Sequence, residues 1–136
     1  MKHPSFLIGI TALLALAALT LAGCGVGSGG PESKISETTD TYLRSLSSGD
    51  TTKACAQLTG EAQKKLGISC VAAMEKIAAA AGRERLAEAA DKGSAISVDG
   101  PSGSATLEGL NDVRIGLVKS GSNWLIESGY ELDGAS

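Results

Sequence analysis

The chain has 136 residues, room for one domain, and is 43% hydrophobic with 12 Lys+Arg against 15 Asp+Glu. Its only histidine is His3, which excludes Ser-His-Asp hydrolysis, Cys-His chemistry and His-ligated metal sites from the rest of the chain. A mildly acidic balance with few aromatic residues excludes the basic, ring-lined surface of a nucleic-acid binder.

Apolar residues are spread unevenly, with 15 of them in the first 23 positions. Residues 1–24 read MKHPSFLIGITALLALAALTLAGC: a cation at Lys2, an uncharged stretch from Phe6 to Leu19, then small residues before a cysteine. That layout is a signal peptide over residues 1–23. The ending Leu21-Ala22-Gly23-Cys24 resembles the bacterial lipobox. The resemblance implies a diacylglycerol on the Cys24 thiol, and two acyl chains suffice for stable anchoring at the outer face of a cell membrane. The competing reading is a retained transmembrane helix over Phe6–Ala22, but no stop-transfer charges follow the run. Within residues 24–33, Gly25 to Gly30 fits the spacing G-x-G-x-x-G without the preceding strand that a dinucleotide site needs. The segment reads as a flexible, lipidated tether.

From residue 34 the pattern is helical. Ile35, Tyr42, Leu43 and Leu46 fall on one face of a helix over about 34–47, and Ser48-Gly49-Asp50 ends it. Asp50 is placed to cap a second helix carrying Ala54, Cys55 and Leu58 inward. Thr59-Gly60 breaks the chain before Glu61 to Leu66, and Gly67 stops it again. Ser69 caps a helix over 70–81 with Val71, Met74, Ile77 and Ala78 on one face, and after Gly82 a short piece presents Leu86. Cys55 and Cys70 form an even pair in an exported chain, which points to a disulfide rather than to a redox or metal site, since no CxxC or further ligand accompanies them. Closing that loop is worth about 3 kcal/mol.

Beyond Gly93 the period becomes two. Ile96 and Val98 alternate with polar residues, as do Ala105 and Leu107 across the turn Asp99–Gly103. Val113, Ile115 and Leu117 form a third strand, and Trp124 and Ile126 a fourth across Ser120–Asn123. Helices followed by an antiparallel meander define an α+β domain over 34–128, with residues 129–136 read as a frayed C-terminal tail.

The run Tyr42-Leu43-Arg44-Ser45-Leu46, then Gly49-Asp50, Ala54-Cys55, Leu58-Thr59 and Ala62, resembles small actinobacterial lipoproteins with a nuclear transport factor 2-like, cystatin-like cone domain. The closing segments Arg114–Lys119 and Asn123–Ser128, with Trp124, resemble that family's last hairpin. The resemblance implies helices closing over a curved sheet with a pocket between them, so Tyr42 and Trp124 are the candidate pocket residues. By their own chemistry both read better as core residues, Tyr42 with its hydroxyl at the rim and Trp124 packed on the sheet under the helices. Some relatives of this fold are isomerases or dehydratases, for which Asp40, Tyr42 and Asp112 are the acid–base candidates here. Asp40 and Tyr42 stand about 200° apart on a helix, so spacing brings no pair together.

The resulting expectation is a non-catalytic, lipid-anchored extracytoplasmic protein with no cofactor or metal. It would bind a small apolar ligand or an envelope protein. The alternatives are a cone-fold isomerase or dehydratase and a purely structural envelope spacer.

Overall fold

The computed structural model describes residues 30–134. The signal segment, Cys24 and the tether through residue 29 lie outside the described residues, as do residues 135 and 136. Five helices come first: α1 (Pro31–Ser48), α2 (Thr51–Ala56), α3 (Gly60–Lys65), α4 (Cys70–Ala81) and α5 (Arg83–Lys92). Four strands follow, β1 (Ala95–Asp99), β2 (Ser102–Leu107), β3 (Val113–Ser120) and β4 (Asn123–Ser128), with a 3-10 turn over Glu108–Leu110 between β2 and β3. The strands form one open antiparallel sheet in the order β1-β2-β3-β4. The α+β architecture read from the two periodicities is therefore the observed one.

Local chemistry sets most boundaries. Pro31 opens α1 three residues earlier than periodicity alone places it, because a proline at the first helical position loses only an N–H that would lack a partner anyway. Residues 31–33 accordingly belong to the helix and not to the tether. At the other end Gly49 adopts φ +84°, and Asp50 N donates to Ser45 O at 2.9 Å while Gly49 N donates to Leu46 O. This double bond closes the helix in a Schellman turn. Asp50 then accepts from Lys53 N to start α2, as Thr59 does for α3 and Ser69 for α4.

Ile35, Tyr42, Leu43 and Leu46 pack against the inward residues Ala105, Leu107, Ile115, Leu117 and Ile126 in one core cluster. The inner face of the sheet alternates as the sequence suggests, except that Ile96 and Val98, on edge strand β1, are only half-buried. Between α2 and α3, residue Leu58 forms a parallel bridge with Ile126: Ile126 N donates to Gln57 O at 2.8 Å and Thr59 N to Ile126 O at 2.9 Å. A scrap of extended chain from the helical half thus covers part of the β4 edge.

Two expectations need correcting. Val71 is exposed rather than inward, because the bridge from Cys70 turns the neighbouring position toward α2 and leaves Val71 about 100° round the helix. Residues 129–134 are packed rather than frayed. Tyr130 and Leu132 are buried, and Asn111 Nδ2 donates to Gly134 O at 2.9 Å. Gly129 makes this possible: with φ +75°, a Cβ there would sit 2.1 Å from Arg114 O.

Candidate functional site

The C-terminal half of α1 and the start of β4 bring the two candidate pocket residues into one core cluster, but not into one pocket. Tyr42 is fully buried. Its hydroxyl donates to Tyr130 O at 2.6 Å and lies 3.6 Å from Met74 Sδ. Burial pushes this hydroxyl well above the ordinary tyrosine range, and the nearby charges of Glu131 and then Tyr130 add to the shift. Tyr42 is therefore a neutral donor whose one proton is committed to a backbone carbonyl.

Trp124 is only 3% exposed and lies over Gly103. A Cβ on Gly103 would come within 2.5 Å of Ile35 Cδ1 and 3.4 Å of Trp124 Cζ3, so the missing side chain is what lets both settle on the sheet. Thr38 Oγ1 donates to Trp124 O at 3.0 Å and Lys34 Nζ to Ser122 O at 2.9 Å, tying α1 to the start of β4. The indole is a packing element here, not an exposed stacking platform.

Two surface grooves flank Trp124. One, of about 420 Å³, runs between α1 and β4 and is bordered by Lys34, Glu37, Thr38, Thr41, Gln57 and Asn123. The other, of about 550 Å³, lies between Pro31, Lys34, Lys119 and the hairpin residues Gly100, Gly121 and Ser122. Tyr42 borders neither. The interior between helices and sheet, where the cone resemblance implies a pocket, is occupied by the core side chains themselves.

The acid–base candidates sit in three different surroundings. Asp40 is half-buried and holds Arg44 through both carboxylate oxygens at 3.0 Å, Asp112 is exposed just past the 3-10 turn, and Tyr42 is in the core. Arg44 also reaches Asp91 on α5 at 3.0 Å, so Asp40 belongs to a three-residue charge cluster that joins α1 to α5. Among the described residues no group of three or more His, Cys, Asp or Glu side chains is placed to hold a metal ion. None of the described helices is long and apolar enough to cross a membrane.

Cys55 and Cys70 are joined in a disulfide with their Cα atoms 6.1 Å apart, so α2 is fastened to the first residue of α4. One role escaped the sequence reading. Arg83 looks like part of a solvated charged run, yet its guanidinium donates to Leu46 O at 3.0 Å and pairs with Glu75 at 3.2 Å. It satisfies a carbonyl at the C-terminal end of α1, where a cation is favoured. Only the fold brings Leu46 and Arg83 together, so no local signal could have found the pair.

Comparison with protein-family models, with curated proteins and with solved structures finds no match to this chain.

Proposed function

We propose that this chain is a lipid-anchored protein of the bacterial cell envelope, with a nuclear transport factor 2-like domain that engages an envelope protein through its outer surface. The observation that carries the reading is the filled interior. Tyr42 is spent on Tyr130 O and Trp124 is packed on Gly103, so the space where an apolar ligand would sit holds the domain's own side chains. A site for a small molecule is normally concave and largely preformed. With the core occupied, recognition falls to the surface.

Three further features support the placement. Leu21-Ala22-Gly23-Cys24 supplies the lipid attachment motif. A disulfide between Cys55 and Cys70 fits an oxidising, extracytoplasmic compartment. The order of helices followed by an open antiparallel sheet, with Trp124 on the last strand, is the layout the family resemblance calls for.

The test is crosslinking of the acylated protein in intact cells, followed by recovery under denaturing conditions. A single envelope protein captured by wild type and lost when the groove residues Glu37 and Gln57 are both changed to Ala supports the reading. Recovery of no crosslinked species, with the protein present at normal level, refutes it. Anchoring is tested separately: Cys24→Ala or globomycin should stop maturation and release the protein from the membrane fraction.

A further inference from the structure

We propose that the loop between α3 and α4 is the face this domain turns to its own membrane, with Ile68 entering the outer leaflet beside the lipid on Cys24. The proposal rests on the anchored reading above and adds an orientation to it.

Among the described residues, Ile68 and Val71 are the large hydrophobic side chains left exposed, and Ile68 is as exposed as it would be in a free peptide. Their exposure is built in. Gly67, at φ +91°, ends α3 with its N–H on Lys64 O at 3.1 Å. Ser69 Oγ accepts from Ala72 N at 3.2 Å to begin α4, and Cys70 is fastened to buried Cys55. Ile68 is held between a stop and a cap, with no slack to fold back. Isolated exposed hydrophobics are ordinary, but Ile68 is fully exposed on a pinned tip, with Val71 exposed three residues on.

The chemistry around the tip names its partner. Lys64 and Lys65 end α3 immediately before it, both exposed and neither ion-paired among the described residues. Glu61 and Glu127 border the same groove as the two lysines but are bonded to neither of them among the described residues, which leaves both ammonium groups free to meet headgroups. An apolar side chain beside two cations fits an anionic leaflet, where the chain enters the acyl boundary and lysines meet headgroups.

Tether length keeps the domain close to the bilayer. Six residues separate Cys24 from Pro31, a reach of about 20 Å when fully extended. A domain of this size has a radius of gyration of about 13 Å, so part of its surface must rest near the bilayer. The Cys55–Cys70 bridge ties the tip to α2, which lies beside the first turns of α1. Ala56 and Gln57, which follow the bridged Cys55, share a groove with Lys34 and Glu37 in the first turns of α1.

The experiment places Ile68→Trp in the full acylated protein, reconstituted in vesicles of phosphatidylcholine and phosphatidylglycerol, with brominated phosphatidylcholine as quencher. Wild type, whose Trp124 is buried, supplies the blank, and Glu84→Trp on α5 supplies a control position. The new emission at 68 should shift to the blue and lose most of its intensity to brominated lipid, while emission at 84 is unaffected. Charge reversal by Lys64→Glu with Lys65→Glu should reduce the quenching in phosphatidylglycerol vesicles and leave it unchanged in pure phosphatidylcholine. Emission at 68 that stays unquenched on a protein shown by mass to carry diacylglycerol overturns the proposal and leaves anchoring intact. Emission shielded from an aqueous quencher but blind to brominated lipid indicates contact between copies and also overturns it. A protein whose mass shows no lipid on Cys24 removes both the anchor and this orientation.

Discussion

The seam between α1 and the sheet is filled by Tyr42, Leu43, Leu46, Ile115, Leu117 and Ile126, whereas α2, α3 and α4 offer it mainly Ala54, Ala62, Ala78 and Ala81. Large side chains hold the first region through burial at roughly 25 cal/mol per Å² of apolar surface. Small ones contribute little area, and there the chain relies on fasteners: the Cys55–Cys70 bridge, capping side chains and Arg83 at the end of α1. A domain short of large apolar residues can divide the work in this way, with one half packed and the other stapled. The difference teaches which kind of change each half should feel.

The largest effect should come from truncating the packed half. Leu43→Ala and Ile115→Ala should each destabilise by about 3 to 4 kcal/mol in denaturant unfolding, because a cavity opens where neighbours cannot collapse. Ala62→Gly on the stapled side should cost far less, and equal costs would erase the contrast. Next comes the staple itself. Replacing both Cys55 and Cys70 with Ala should lower stability by about 3 kcal/mol, through the loop closed across a separation of 15 residues. Thermal melts with and without reductant give the same comparison, and a wild type indifferent to reductant would break it.

Tyr42→Phe should cost about 1 to 2 kcal/mol by leaving Tyr130 O without its donor. This variant also has a pH signature. The folded protein holds the Tyr42 proton above the ordinary value of 10.0, while the unfolded chain releases it there. Proton release then favours unfolding, so this contribution is present below about pH 10 and lost as pH rises beyond it. Tyr42→Phe should flatten that alkaline limb. The smallest effect has the opposite sign. Thr39 is buried with an unpartnered Oγ1, and Thr39→Val should be neutral or stabilise by up to about 1 kcal/mol.

Features governed by near neighbours were legible in the sequence. The stripe Ile35, Tyr42, Leu43 and Leu46 is inward as its spacing demands, and Asp50, Gly67 and Ser69 start and stop helices where their side chains or their lack of one dictate. The four strands follow from period-two alternation and their turns. What stayed hidden depends on distant partners. Nothing near Tyr130 says that a helix almost ninety positions earlier will donate to its carbonyl, so the last residues read as loose. Val71 keeps perfect helical spacing with Met74 and is nevertheless exposed, because the bridge from Cys70 fixes the rotation of α4. The candidate site was the least legible part. Tyr42 and Trp124 carry the same apolar signal whether they line a cavity or fill one, and only the surrounding packing distinguishes the two.

The bond from Tyr42 to Tyr130 also bears on the order in which the chain can fold. The first helix needs an acceptor 88 positions further on, at Tyr130, and Leu58 needs Ile126 on the last strand. Contacts of such long sequence separation form late, after the entropy of a long loop has been surrendered. An emerging chain released from the N-terminus onward therefore has no completed core until Tyr130 is free. Up to that moment it remains threadable, and a ribosome or channel still holding β4 and Tyr130 would be enough to keep it so.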